Sequence, residues 1–540
     1  MKNKTEFIYL AILFLATIYA HCITNSVTFE PVYSPYSDSS ELYTVQSITD
    51  STLFKNDPAL IAIKNHMNWT SKIREYTHNA IFCFFMLFFS FPLTIKIVSI
   101  IITILSLILV YKIGVYLHSK NCALLLAGLF IFYFFSMHTF YGGQDRCFGA
   151  FIFCIFMLLL VKERLAFLPF LLPLIIIFYQ SLFPLLATIC LLVPILYFKR
   201  MRIKQFLLFL IINILICFLL VYTDKLQGSI AANLALLKSY KYLHDNNLVN
   251  PANPYHIILY FILNLNEHSR LQSYFTYFFL LLSLAIIVFR GKRAFFLHKA
   301  IWLMLAASFI SFLLTYFFNP VLASRQFLFS LPMFLVLFVA ANIYVFTAKI
   351  RINPAALLIP LMAVFMALHP ILGGPIRDFR IYKPVYDYLE NLPKEAFIAG
   401  HPSSFVLDNI PLFSRRTIFF SDNMDDILYL TYGREGFKER RSELILALYA
   451  ESMEKVKKLI TKYKIDFFVI EESYYNKDFY RNLKYSVIPY DKQTWALIEP
   501  NAYKGKSFLL NFAKRNKDFA LKTSKGYIFV INTKKMLDNE

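Results

Sequence analysis

The chain has 540 residues, more than one ordinary domain holds, and 58% are hydrophobic while only 16% are charged, against a globular norm of about 25% charged. Its net charge of +21 suggests nucleic acid at first sight, but the basic residues stand at the ends of apolar runs, where membrane topology places them. A nucleic-acid partner and a single soluble domain are both excluded.

Residues 1–370 carry many apolar runs near the roughly 20 residues that cross a bilayer as a helix. Only helices and closed barrels satisfy their backbone there, and these runs are far too long for barrel strands. The expected fold is therefore an α-helical polytopic membrane bundle followed by a soluble α/β domain at 371–540. The first run, 7–24, follows Lys2 and Lys4 and has no A-x-A cleavage site after it, so it reads as a retained helix running outward. Then comes a polar outer loop, 25–79, with the acids Asp38, Glu41, Asp50 and Asp57.

The apolar stretch 80–117 is interrupted by Pro92 and Lys96 and is read as an outer-surface helix, 80–92, leading into a span at 95–117. Further spans are expected near 121–139, 148–161, 165–179, 182–198, 205–222, 271–289, 299–318, 326–346 and 354–369, about eleven in all. This choice keeps Lys120, Lys162, Arg164, Lys199, Arg200, Arg290, Lys292, Lys349 and Arg351 on the inner side. It places a second outer segment at 223–270 and the C-terminal domain outside, in a multi-pass protein with a cytoplasmic N-terminus, as in a bacterial cell membrane. The seven cysteines lie in or beside apolar runs, with no metal-like spacing.

After Gly373-Gly374-Pro375, a plausible linker, the pattern predicts a helix over 383–391 and strands over 396–400, 417–421 and 466–470. Helical periodicity with i,i+4 charge pairs covers 438–463. A hairpin over 519–532 turns at Ser524-Lys525-Gly526.

Several constellations carry chemical interest. The first outer loop reads Ser37-Asp38-Ser39-Ser40-Glu41-Leu42-Tyr43, then Leu53-Phe54-Lys55-Asn56-Asp57-Pro58. An acid at the membrane surface takes a proton from an acceptor hydroxyl or holds a divalent metal; the plainer reading is a solvated loop. In Tyr141-Gly142-Gly143-Gln144-Asp145-Arg146, glycines and a guanidinium fork suit a phosphate, or else Asp145 and Arg146 simply pair. Arg325 stands at an outer helix mouth against the positive-inside trend, where snorkelling to headgroups is the alternative. Glu267, His268 and Arg270 precede the eighth span as a polar collar or a pyrophosphate contact.

This layout resembles the GT-C superfamily of polytopic glycosyltransferases, which includes protein mannosyltransferases and lipid A aminoarabinose transferases. There an outward first helix is followed by an acid motif, and the stretch from Asp38 to Tyr43 with Asp57-Pro58 is similar. The resemblance implies sugar transfer on the outer face from a polyprenyl-phosphate donor to a lipid, glycan or protein acceptor. It implies Asp38 as general base, with Glu41 and Asp57 as alternatives or as partners of metal and substrate, and Tyr43 beside the substrate. It also implies Arg146 and Arg325 on the carrier phosphate, whereas His268 and Arg270 are candidates from the residues alone, for proton transfer or a pyrophosphate contact. A divalent metal is a candidate cofactor. A transporter or lipid flippase and a polysaccharide polymerase or ligase are the alternative functions.

Overall fold

The computed structural model describes residues 2–22, 45–55, 57, 60–61, 69–136, 145–179, 182–197, 299–318, 330–372, 378–421, 439–475 and 507–538, with a few isolated positions besides. They fall into two compact units. One comprises Met1–Pro31, Asn68–Ile81 and Leu93–Arg377; the other comprises Val32–Met67, Phe82–Pro92 and Asp378–Glu540.

The first unit is helical throughout its described part. Its helices are α1 (Lys2–Cys22), α2 (Trp69–Met86), α3 (Phe91–Leu117), α4 (Lys120–Ser136), α5 (Asp145–Val161), α6 (Leu171–Phe178), α7 (Phe183–Tyr197), α8 (Lys299–Phe318), α9 (Ser330–Lys349) and α10 (Leu358–Leu372). The last residues of α2, from Phe82, and the first two of α3 belong to the second unit's share of the chain. Two helices, Phe91–Leu117 and Ser330–Thr347, are long and apolar enough to cross a membrane, with mean hydropathy 2.7 and 1.9. The described residues also hold shorter apolar helices, among them α1, α4, α5, α7, α8 and α10, whereas α2 carries Lys72, Arg74 and Glu75. The expected spans 205–222 and 271–289 lie outside the described residues, apart from single helical positions.

Local chemistry explains the helix limits. The expected helix over 80–92 is not what forms: α2 ends at Met86, and a turn at 87–89 precedes α3. Proline suits the first turn of a helix because its missing N–H has no partner there. Pro92 therefore opens α3, and Lys96 falls inside the helix rather than before it. The run 165–179 splits into a 3-10 turn, Leu165–Phe170, and the helix α6. Pro354 likewise begins a 3-10 turn capped by Asn353, whose side chain accepts from the Ala355 N–H at 3.1 Å, before α10. Helices pack closely where Gly114 faces α4, since a Cβ there would come within 2.6 Å of the Ala123 backbone. Small residues permit such approach in apolar bundles. At one end of α1, Glu6 accepts from Tyr111 at 2.5 Å and from Lys120 at 2.8 Å.

The second unit is an α/β fold around a five-stranded sheet of order β2-β1-β3-β5-β4. Its strands are β1 (Phe397–Gly400), β2 (Thr417–Ile418), β3 (Phe467–Glu471), β4 (Phe519–Thr523) and β5 (Gly526–Asn532). β1 runs parallel to β2 and β3, while β5 is antiparallel to β3 and pairs with β4 as the expected hairpin. The predicted strand over 417–421 is shorter, although the Phe419 N–H still donates to the Ile398 carbonyl at 2.7 Å. The periodicity over 438–463 resolves into helical residues 439–448 and a helix Met453–Tyr463. The break between them has a cause: the Leu448 and Ala450 carbonyls accept from Ser507 Oγ and the Phe508 N–H, at 2.8 and 2.7 Å.

The core of this unit takes in residues far away in sequence. Leu53, Phe54 and Leu60 are buried with Val385, Tyr386, Leu389, Ile410 and the sheet residues. Burying each such side chain is worth about 1.5–3 kcal/mol. Leu53, Phe54 and Leu60 together therefore outweigh the roughly 1–3 kcal/mol cost of a left-handed non-glycine backbone, which Phe54 adopts at φ 56°.

Candidate functional site

Two polar regions emerge, one in each unit. In the helical unit, α3 carries Thr94, Lys96, Ser99, Thr103 and Ser106, all buried. Lys96, Ser99, Thr103 and Ser106 recur at helical spacing and so share one face. Lys96 is 2% exposed inside a helix whose composition is that of a membrane span. Ionisable side chains in such positions are costly and mark functional paths. From α1, His21 shares a hydrogen bond of 3.1 Å with Thr103 Oγ1, and both are fully buried.

That contact fixes the register of α1 on α3. Lys96 precedes Thr103 by seven residues, about 10 Å along the helix, and lies within Coulombic reach of Cys22, the last residue of α1. The carbonyl end of a helix attracts cations, so Lys96 is well placed there. The Thr94 hydroxyl, two residues before Lys96, has no hydrogen-bond partner among the described residues. Reading the sequence missed this cluster. Its signal was one lysine inside an otherwise apolar run and one histidine at the end of the first run.

Arg146 occupies the first turn of α5 and is half-buried. Its neighbours Gly142, Gly143 and Gln144 lie outside the described residues, as do Asp38, Glu41, Tyr43, His268, Arg270 and Arg325. The structure therefore brings none of these together for inspection. Asp57 is described and fully buried in the second unit. Its carboxylate accepts from the Leu60 N–H at 3.2 Å and its carbonyl from the Ile61 N–H at 3.0 Å, a helix-capping arrangement. Among the described residues no three His, Cys, Asp or Glu side chains gather as a metal site.

In the second unit, polar groups gather where β1 and β3 end. The order β2-β1-β3 makes this edge a topological switch point, the place where open α/β sheets hold ligands. Ser404 caps the short helix Phe405–Asp408 by accepting from the Leu407 N–H at 2.9 Å, and its hydroxyl donates to Glu471. Glu471 is half-buried, and desolvation pushes its carboxyl up to about 7 despite the Ser404 bond and the nearby Lys525. His401 stacks on Tyr474 with ring centroids 4.4 Å apart, and its Nδ1 accepts from the Ser403 N–H at 3.2 Å. Burial, then Arg441, push its imidazole down to about 3. Tyr474 Oη donates to the Ser403 carbonyl at 3.0 Å.

No protein-family profile matches the chain, and no curated protein does. Among solved structures, the chain is similar to the Archaeoglobus fulgidus oligosaccharyltransferase. With its zinc and sulfate complex it shares 11% identity and a TM-score of 0.48, over 96% of this chain and 73% of that one. With the apo form the values are 12% and 0.49, over 88% and 71%. With the same organism's oligosaccharyltransferase AglB, in complex with an inhibitory peptide and a dolichol-phosphate, they are 12% and 0.47, over 98% and 74%.

Proposed function

We propose that the chain is a membrane glycosyltransferase that moves a sugar from a polyprenyl-phosphate carrier to an acceptor on the outer face of the membrane. The observation that carries this reading is Lys96, buried in an apolar helix beside the end of α1. A lipid-borne phosphate is an anion presented at the edge of hydrocarbon, and a desolvated ammonium at that depth complements it far better than one in water. The acids that follow α1 in sequence supply the other half of the chemistry.

Asp38 takes the proton from the acceptor hydroxyl, with Glu41 as its nearest acidic neighbour in sequence. The acceptor oxygen bonds to the anomeric carbon as the carbon–phosphate oxygen bond breaks, on the opposite face, so the configuration inverts. The electron pair leaves with the phosphate, whose growing charge is stabilised by Lys96, Arg146 and Arg325. His268 and Arg270 line the approach of the donor, and Tyr43 that of the sugar. In this reading the chain crosses the membrane about eleven times and residues 371–540 lie outside.

The test uses the full chain reconstituted in vesicles with a radiolabelled polyprenyl-phosphate sugar. Asp38→Asn lowers transfer by about 10²- to 10⁴-fold, as loss of a general base does, with expression and vesicle insertion unchanged. Full activity in that variant removes Asp38 as the base. Label crossing sealed vesicles without any new glycosidic bond would instead establish a transporter.

A further inference from the structure

Within the second unit, the carboxyl edge of the sheet holds more polar groups than the fold uses as struts. β1 runs parallel to β2 and to β3, so all three strands end at this edge. By itself the Ser404–Glu471 bond is a strut between the loop after β1 and the end of β3. Ser421 is different. It follows β2, and the register Ile398↔Ile418, carried three residues on, sets it level with His401. It is 1% exposed, and its hydroxyl has no hydrogen-bond partner among the described residues. A buried polar atom left over in a native fold marks a place for water or a ligand. Phe405, next to Ser404, is 49% exposed although Val406 and Leu407 are buried, so an aromatic ring stands at the rim. Glu471 and Tyr382 are half-buried there, and burial, then the Glu471 charge, raise the Tyr382 phenol.

The charges at the edge are mixed, and this narrows the ligand. Burial, then Glu471 and Asp408, raise the Tyr474 phenol, so two carboxylates act on this edge. Lys525 acts on Glu471 and Arg441 on His401, which brings two cations to it. An anion would face the carboxylates and a cation would face the ammonium and guanidinium, whereas a neutral ligand meets neither repulsion. The hydroxyls of Ser421 and Tyr382 both donate and accept, and the Glu471 carboxyl accepts. A few placed polar groups beside an aromatic face make a small-ligand site, and a sugar ring matches them, with hydroxyls at its edge and an apolar C–H face for Phe405. We propose that the carboxyl edge of the sheet, with Phe405 as platform and Glu471, Tyr382 and Ser421 as hydrogen-bonding groups, is a binding site for a neutral sugar residue. The site lies wholly within the second unit, and its occupancy does not depend on sugar transfer by the helical unit.

The experiment places the full chain in phosphatidylcholine nanodiscs, without sugar-based detergent, and records saturation-transfer NMR with the methyl glycosides of glucose, galactose, mannose and N-acetylglucosamine. At least one glycoside is expected to receive saturation, most strongly at its ring C–H protons. That transfer falls about fivefold or more in Phe405→Ser and in Glu471→Leu, the scale of one lost stacking contact or hydrogen bond, while hydrogen exchange of the β3 amides stays as in the unaltered chain. Phe405 is exposed, so its variant decides the question where Glu471→Leu fails to fold. No saturation of any of the four glycosides overturns the proposal. Saturation that persists in both variants puts the sugar elsewhere on the chain and overturns the site. Displacement of the bound glycoside by inorganic phosphate makes the edge an anion site and overturns the ligand class.

Discussion

The two units satisfy their buried polar side chains in opposite ways. In the helical unit, hydroxyls turn back onto their own helix: Thr17 donates to Leu13, Ser106 to Ile102, Ser308 to Met304, Thr315 to Ser311 and Thr347 to Ile343, at 2.7–2.9 Å. In the second unit, they reach across elements. Ser414 donates to Tyr386, Tyr449 to Tyr474 and Thr533 to Ile465, while Arg416 donates to the Glu390, Leu392 and Ser414 carbonyls. An apolar surround offers few outside partners, so a helix settles its own polar groups. A water-facing α/β fold uses the same groups as struts. The lesson is that one kind of contact carries different meaning in each unit. A cross-helix link such as His21–Thr103, or a buried cation such as Lys96, departs from the local habit and points to function; a cross-element link in the second unit does not.

The sharpest way to break that contrast is Lys96→Met. If Lys96 serves the donor phosphate, transfer falls by about 10²- to 10³-fold, as for the loss of an electrostatic donor in a desolvated site, while the bundle's thermal stability holds or rises because a buried charge has gone. Both are read in one preparation, by labelled-sugar transfer and by thermal unfolding in detergent. Retained transfer with a loss of stability would make Lys96 a strut like those of the second unit.

Legibility in the sequence follows the same division. The strands 396–400 and 466–470 and the hairpin at 519–532 show in the sequence because short β-branched and aromatic runs are bounded by turn residues. The apolar helices show through length alone. Lys96 read as an interruption, because an isolated charge weakens an apolar window whether it ends a helix or lies within one. The seating of 45–61 was hidden for a different reason: Leu53-Phe54 is a brief apolar pair in a polar loop, and its partners Tyr386, Leu389 and Ile410 lie more than three hundred residues away. No local pattern encodes that contact. The acids Asp38 and Glu41 showed in the sequence as carboxylates following the first span, but the choice of Asp38 as base came through resemblance.

A second prediction sharpens the strut half of the contrast through pH. Glu471 titrates near 7 in the fold against an ordinary 4.5, so between those values the folded chain holds the extra proton and stability falls as pH rises. His401 titrates near 3 against an ordinary 6.5, so the unfolded chain holds the extra proton and stability rises with pH over 3 to 6.5. From about 4.5 to 6.5 the two slopes oppose, each at most about 1.4 kcal/mol per pH unit, and the pair gives a flat profile there. Glu471→Gln unmasks the histidine, so stability of the second unit climbs from pH 4.5 to 6.5. His401→Phe unmasks the glutamate, so it declines over the same window. Hydrogen exchange of β3 amides in the full chain, measured across that range, reads both signs. Flat profiles in both variants would mean that neither group is tied to folding.

The smallest expected effect tests the rule itself. Thr347 is buried on α9, and its hydroxyl donates to the Ile343 carbonyl at 2.9 Å and the Tyr344 carbonyl at 3.0 Å. Those carbonyls belong to Thr347's own helix, so the hydroxyl adds a second bond to groups the helix already serves. Thr347→Val keeps the branched shape and removes the donor without stranding an acceptor that lacks any other partner. Replacing polar by apolar atoms of like shape in that setting is close to neutral, and a change within about 0.5 kcal/mol is expected from thermal unfolding in detergent. Thr103 is the control on the same footing, since it also donates to its own helix, to Ser99 at 2.7 Å, but is in addition the partner of His21. Thr103→Val should therefore disturb sugar transfer where Thr347→Val does not. Equal behaviour of the two would show that the cross-helix bond is one more piece of helix packing, and the contrast between the units would rest on Lys96 alone.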